Sequence, residues 1–153
     1  MQGCNRIVSY LLLVLTALLL TGPLALAGAG EGTGVICADL PGTAGLALDN
    51  RGYAYTVDCA AGKVLCVPPD GEPVVYARIT APTALAVDEL RTLFVGTAAG
   101  DIYAVTLDGS VSRVHRCPTR VSGLSLDRDG NLLIATTGGA ILRLAREDFR
   151  FEE

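Results

Sequence analysis

The chain repeats one four-residue motif three times at a fixed interval. The copies, 46–49 (LALD), 85–88 (LAVD) and 124–127 (LSLD), are equally spaced along the sequence. A fixed period of about 40 residues is typical of repeat architectures and suits a propeller blade of four strands. This period limits the fold more than any other feature of the 153-residue sequence.

The first strand of each repeat alternates small and large residues. Because side chains of a strand point to opposite faces in turn, the small residues share one face and the large ones the other. Small residues in register three times are what the innermost strand of a blade needs, since neighbouring blades are closest near the axis. The small positions are Gly45, Ala47, Ala84, Ala86, Gly123 and Ser125, and the large ones are Leu46, Leu48, Leu85, Val87, Leu124 and Leu126.

Turn residues divide the rest of each repeat into further strands. Residues 70–71 and 108–109 (DG) predict hairpins. Residues 49–52 and 127–130 (D-x-x-G) predict tight turns closed by the aspartate, and residues 88–91 (DELR) are a degenerate copy. The predicted fold is all-β, a partial β-propeller of three four-stranded blades at about 42–80, 81–119 and 120–153. The last outer strand is expected near 148–153.

Residues 1–27 have the features of a secretory signal peptide. Arg6 supplies a positive charge, residues 7–20 form an apolar run, and residues 25–27 (ALA) give the small-x-small pattern of a cleavage site. The apolar run is short for a membrane span, which needs roughly 20 residues. We therefore predict a secreted or periplasmic protein with a leader at 28–41 that contains one stray strand, 34–38. The alternative is a membrane anchor formed by residues 7–27.

The charge pattern argues against nucleic acid as a partner. The net charge is −4, and loss of Arg6 with the signal peptide makes it −5. Acidic and basic residues are interleaved, whereas nucleic-acid binding needs a basic surface. A membrane partner is expected only if the N-terminal segment stays uncleaved.

Four cysteines follow the signal peptide: Cys37, Cys59, Cys66 and Cys117. In an exported protein they could form two disulfides, with three connectivities. The alternative is four unpaired, half-buried thiols. A structural zinc site is not expected, because such a site has four ligands and His115 with Cys117 gives only two.

The repeats resemble those of known propellers. Residues 45–52 (GLALDNRG) with 62–65 (GKVL), and 123–132 (GLSLDRDGNL) with 139–142 (GAIL), look like NHL repeats and like blades of the gluconolactonase (regucalcin)-like and strictosidine-synthase-like six-bladed β-propellers. The resemblance implies half of a six-bladed ring. In lactonase members it also implies a divalent metal in the channel, held in part by an Asn directly before the Gly-Leu of an inner strand. The matching positions here are Ala44, Thr83 and Ser122, and none is such a ligand.

No catalytic constellation stands out in the sequence, and the only histidine, His115, is expected at a blade's rim. Residues 127–131 lack the spacing of an EF-hand calcium loop. We therefore expect an exported binding or interaction module without a cofactor, for an unknown protein or small-molecule ligand. The alternative is a metal-dependent lactonase or hydrolase holding Ca or Zn. The polar residues expected to reach a ring face or the channel are Asp58, Thr83, Thr97, Ser122 and Thr136, each with turn capping as its alternative role.

Three blades would leave the apolar flanks of the first and last blade open. We therefore expect a homodimer of two halves that completes a six-bladed ring, with the stray strand 34–38 of each copy added to the third blade of the other. The alternative is that the chain is a fragment of a longer propeller.

Overall fold

Strands joined by tight turns dominate the described part of the chain. The structure, a computed structural model, describes residues 37–40 and 42–149. One short 3₁₀ helix, Arg146–Asp148, lies in this part, and no helix in it is long and apolar enough to cross a membrane. The strands are β1 (Thr43–Leu48), β2 (Ala54–Asp58), β3 (Lys63–Val67), β4 (Val74–Arg78), β5 (Pro82–Val87), β6 (Leu93–Thr97), β7 (Asp101–Val105), β8 (Val111–Arg116), β9 (Val121–Leu126), β10 (Leu132–Thr136) and β11 (Ile141–Leu144).

The strands form three antiparallel sheets, one for each repeat. Blade 1 has the order β1-β2-β3-β4 and blade 2 the order β5-β6-β7-β8, whereas the described residues of blade 3 give β9-β10-β11. Strand β5 lies beside both β1 and β9, so the first strand of each repeat is the inner strand. The predicted all-β fold of propeller-type blades is confirmed.

The aspartate that ends each inner strand closes the turn to the second strand. Asp49 Oδ1 accepts hydrogen bonds of 2.9 Å from the backbone N–H groups two and four residues later. Asp127 Oδ1 does the same with the N–H groups of Asp129 at 3.0 Å and Asn131 at 2.9 Å. A carboxylate that accepts such bonds fixes a tight turn. The predicted turn at residues 127–131 is therefore confirmed.

Two apolar layers hold the blades together. The first layer lies between blades 1 and 2, and the second between blades 2 and 3. Small residues of an inner strand face the following blade, as Ala47 does in the first layer and Ala84 in the second. Large residues face the preceding blade, as Leu85 and Leu124 do. Each blade thus fits its large inner residues against the small ones of its neighbour, which allows the close packing of a protein interior.

The second layer leaves no room for a side chain at Gly96 in β6. A β-carbon at this position would lie 2.8 Å from Cβ of Val121 and 3.4 Å from Cδ1 of Leu124. Real β-carbons do not approach to 2.8 Å, so β9 packs directly on the backbone of β6.

Two predictions about the chain ends lie mostly outside the described residues. The outer strand expected near 148–153 does not begin at Asp148, which ends the 3₁₀ helix; residues 150–153 lie outside the described part. Phe149 packs on Phe94, with 5.2 Å between ring centroids, and is partly buried against the second layer. The stray strand is not formed at residues 37–38. The positive φ of Asp39, 60°, interrupts an extended course there. Residues 34–36 and the predicted signal peptide lie outside the described residues.

Candidate functional site

Three of the five polar residues expected at a face or channel are buried in turns. Asp58, Thr97 and Thr136 end the second strand of their blades. Asp58 Oδ1 accepts a hydrogen bond of 2.9 Å from the backbone N–H of Ala61. The hydroxyls of Thr97 and Thr136 each donate to the carbonyl four residues later, at 3.0 and 3.3 Å. These side chains cap the turn to the third strand, which is the alternative role given to them, and their access to a ring face or channel stays a prediction.

The remaining two residues, Thr83 and Ser122, lie near the start of inner strands. The Thr83 hydroxyl is 2.6 Å from the carbonyl oxygen of Val121 and 3.1 Å from that of Gly96, so its single proton links blade 2 to blade 3. Ser122 is exposed, as is Ala44 at the same position of blade 1. The three positions therefore differ in environment, and they do not form a matched set of ligands.

Asp127 and His115, which were considered as a metal ligand and as a general base, lie in different blades. Within residues 37–40 and 42–149, no group of three or more His, Cys, Asp or Glu side chains could hold a metal ion. Asp127 binds its own turn and also lies 2.9 Å from Nη2 of Arg143. The hydrogen bond from the Asn131 side chain, together with the backbone bonds of the turn and the charge of Arg143, holds the pKa of Asp127 below its ordinary value. His115 is half-buried in β8, where it pairs with Ile102 of β7.

The four cysteines are free thiols in the structure. Cys66 belongs to the first layer and Cys117 to the second, and burial raises the pKa of both thiols. Cys37 and Cys59 are half-buried. A raised pKa leaves less thiolate for exchange at neutral pH, so the pairing of these cysteines stays a prediction for oxidising conditions.

Sequence reasoning missed a polar cluster that joins blades 1 and 2. Arg91 Nε donates to Oδ2 of Asp49 at 2.7 Å, and Arg91 Nη2 donates to the hydroxyl of Tyr55 at 3.3 Å. The guanidinium carbon of Arg91 also lies 4.8 Å above the ring of Tyr53. The Asp49 carboxylate is fully buried, and the Arg91 side chain is 16% exposed. This cluster closes the rim of the first layer.

The same cluster explains the degenerate turn of the second repeat. Arg91 has a φ of 66° at the position that Gly52 and Gly130 occupy in the other repeats with φ of 85° and 81°. An arginine in this left-handed conformation is less favourable than glycine. Its ion pair with Asp49, in the preceding blade, compensates for that strain. Burial raises the pKa of Asp49, but the backbone N–H groups of Tyr53 and Arg51 and the Arg91 side chain outweigh it and hold the pKa below its ordinary value.

The two ends of the blade stack expose apolar residues that are packed elsewhere in the chain. We define the outer face of blade 1 as the face of its sheet turned away from blade 2, with Leu46, Leu48, Ala54, Thr56, Leu65 and Val67. Leu46 and Leu48 on the inner strand are exposed, whereas Thr56, Leu65 and Val67 on the second and third strands are buried within the single chain. We define the outer face of blade 3 as the face turned away from blade 2, with Gly123, Ser125, Leu133, Ala135, Ile141 and Arg143. Leu46 is 74% exposed, whereas Leu85, at the same position of the next repeat, is 5% exposed. Ile141 is 80% exposed, whereas Ile102, at the same position of the preceding repeat, is fully buried.

A cavity of about 480 Å³ lies against the outer face of blade 1. Leu46, Ala54 and Thr56 line it on the sheet side, and Cys37 and Leu40 line it on the other. Residues 37–40 therefore run beside this face without filling it.

The blades are similar to parts of larger solved structures. A streptogramin B lyase matches with a TM-score of 0.61 and 15% identity over 70% of this chain and 38% of that one. A gluconolactonase-like protein matches with a TM-score of 0.59 and 18% identity, over 66% and 44%. Regucalcin from Agrobacterium tumefaciens, a calcium-binding protein, matches with a TM-score of 0.56 and 17% identity, over 65% and 39%. Neither a protein-family profile nor a curated protein matches the chain.

These neighbours are six-bladed β-propellers, and this chain spans less than half the length of each. At such low identity the likeness shows the fold alone. The protein is a partial β-propeller with the fold of the gluconolactonase and regucalcin group, as the repeats indicated.

Proposed function

We propose that this protein is an exported interaction module of the β-propeller class, and that the outer faces of blades 1 and 3 are its contact surfaces. One observation carries the proposal: these faces present large apolar side chains at positions that are packed between blades elsewhere in the same chain. Clusters of exposed apolar side chains of this kind mark protein interaction sites.

The energetic cost of leaving these faces in water supports the proposal. Each large apolar side chain left exposed forgoes about 1.5–3 kcal/mol. Leu46, Leu48 and Ile141 are all exposed by more than half. Their combined cost is a sizeable part of the net stability of a domain, about 5–15 kcal/mol. A partner that covers both faces removes this cost.

The polar residues at the strand ends also favour binding over catalysis. Asp58, Thr97 and Thr136 are used inside their own turns, and Thr83 links two blades. All four side chains therefore form hydrogen bonds within the framework of the blades.

The second candidate is a metal-dependent lactonase, which the shared fold with a gluconolactonase-like protein and with calcium-binding regucalcin brings into consideration. The test is hydrolysis of a six-membered sugar lactone, followed by base uptake at constant pH, with Ca²⁺ or Zn²⁺ added separately. If the protein is an interaction module, lactone hydrolysis should be no faster than in the control with metal alone. A rate that rises with metal bound to the protein and disappears with a chelator would overturn the proposal in favour of the lactonase.

A further inference from the structure

We infer that the partner of these faces is a second copy of the chain, docked so that the outer face of blade 1 in each copy meets the outer face of blade 3 in the other. This inference rests on the proposed role of the outer faces as contact surfaces and names what covers them.

The two outer faces differ in the same way as the two sides of an internal layer. Near the axis, the outer face of blade 1 carries the large residues Leu46 and Leu48, and that of blade 3 carries Gly123 and Ser125. Inside the chain, the large residues of each inner strand pack against the small ones of the preceding blade. Each end of the chain therefore carries the half of a layer that the other end lacks.

On blade 3, the second and third strands keep the register that blade 2 has. Ala135 and Ile141 pair across β10 and β11, at the positions that Gly96 and Ile102 occupy in blade 2. Leu124 lies beside Gly96 in the second layer. By the same register, Leu46 of one copy would lie beside Ala135 of the other.

One charged residue, Arg143, lies on the outer face of blade 3. Its Nη2 is 2.9 Å from Oδ2 of Asp127 and 3.7 Å from Oδ2 of Asp129, so the guanidinium is held by the turn between β9 and β10. The alkyl part of an arginine held in this way covers apolar surface while its charge stays in water. Arg143 is therefore compatible with a covered face.

The described residues of the leader, 37–40, do not cover Leu46, which is 74% exposed. Cys37 and Leu40 leave the cavity of about 480 Å³ open beside Leu46 and Ala54. A face with small residues at the inner strand, such as that of blade 3, allows a sheet to approach Leu46 closely enough to close this space.

Head-to-tail contacts either close into a ring or continue into a filament. The similar solved structures are six-bladed rings and the described residues form three blades, so two copies placed head to tail would close with two equivalent junctions related by a two-fold axis.

The experiment measures the mass of the full purified chain by light scattering across a dilution series. The wild type is expected to have twice the chain mass at high concentration. Leu46→Asp and Ile141→Asp, one on each outer face, are each expected to be monomeric, because each places a charge in both junctions. Leu90→Asp, at an exposed residue in the turn after β5, is the matched control and is expected to remain a dimer.

Mixing the two monomeric variants tests the head-to-tail arrangement. In a mixed pair one junction carries both substitutions and the other carries neither. The mixture is therefore expected to recover dimer that neither variant forms alone. A face-to-face dimer of blade 1 would leave Ile141→Asp dimeric, which contradicts the inference.

A wild-type monomer at all concentrations, or growth into larger assemblies, also overturns the inference. The lactone assay is independent of mass, so failure of the second-copy inference and failure of the proposed function are distinguishable.

Discussion

The internal layers and the outer faces contain the same residue types at the same repeat positions, yet their exposure is opposite. Leu85 and Ile102 are buried inside the stack, whereas Leu46 and Ile141 are exposed at its ends. All four residues lie on antiparallel strands of a blade. Leu46 lies in the irregular stretch of β1 between Ala44 and Ala47, whereas Leu85 pairs with Val95. The buried pair has a neighbouring blade beside it, and the exposed pair has none among the described residues.

This comparison separates what a repeat sequence encodes from what its neighbours add. The alternation of small and large residues makes each blade ready to stack on both sides, whether or not a blade is present there. Burial then depends on the adjacent sheet. Exposed residues at the ends of such a stack are therefore candidates for contact, not surface residues chosen for water.

The largest expected effect comes from shortening the same residue in the two regions. Ile102→Ala should lower the free energy of unfolding by about 2–5 kcal/mol, because it leaves a cavity in the second layer. Ile141→Ala should change it by only about 0.5 kcal/mol in dilute protein, where the face is open. Urea unfolding of both variants measures the difference.

Protein concentration sharpens this test. If a second copy covers the outer face of blade 3, the loss of unfolding free energy caused by Ile141→Ala should grow with protein concentration. The loss caused by Ile102→Ala should not grow in this way. Equal losses in dilute protein would contradict the comparison, because they would mean that Ile141 is packed within a single chain.

A smaller effect is expected at the rim of the first layer. Arg91→Met removes the partner of the buried Asp49 carboxylate and should cost about 1–3 kcal/mol at neutral pH. The pKa of Asp49 is lowered in the folded state, so its contribution to stability is present at neutral pH and is lost as the pH falls below about 4.

The pH dependence distinguishes this electrostatic role from simple packing. In the Arg91→Met variant the folded-state pKa of Asp49 should rise, so acid should destabilise the variant less than the wild type. The two stability curves, measured by thermal unfolding between pH 7 and pH 3, should converge at low pH. A constant difference would assign Arg91 a packing role alone.

The strands and turns could be predicted from the sequence because they depend on local patterns. The period of the motif at 46–49, the alternation along inner strands and the Asp-Gly turns are all visible within a few residues of one another. Asp58, Thr97 and Thr136 cap the turns after their second strands, which is the alternative role that the sequence suggested for each.

Contacts between distant residues could not be predicted in the same way. Residues 88–91 were interpreted as a degenerate copy of the turn. The bond that compensates for the left-handed backbone of Arg91 is made to Asp49 in another blade, so the local sequence does not reveal it. The third blade shows the same limit. The ring of Phe149 packs on Phe94 of blade 2, and no local pattern indicates that contact.

The smallest expected effect, with opposite signs in the two regions, comes from adding one methyl group. Gly96→Ala should cost about 1–2 kcal/mol, because its β-carbon overlaps Val121 of the next blade and β9 must shift. Gly123 lies on the outer face of blade 3, where a β-carbon meets only Cβ of Ala135 at an ordinary 3.5 Å. Gly123→Ala should therefore be neutral or stabilising by up to about 1 kcal/mol in dilute protein, since alanine lowers the entropy of the unfolded chain. Thermal unfolding of the pair decides the sign, and a destabilised, strictly monomeric Gly123→Ala would mean that the outer face of blade 3 is already filled within the single chain.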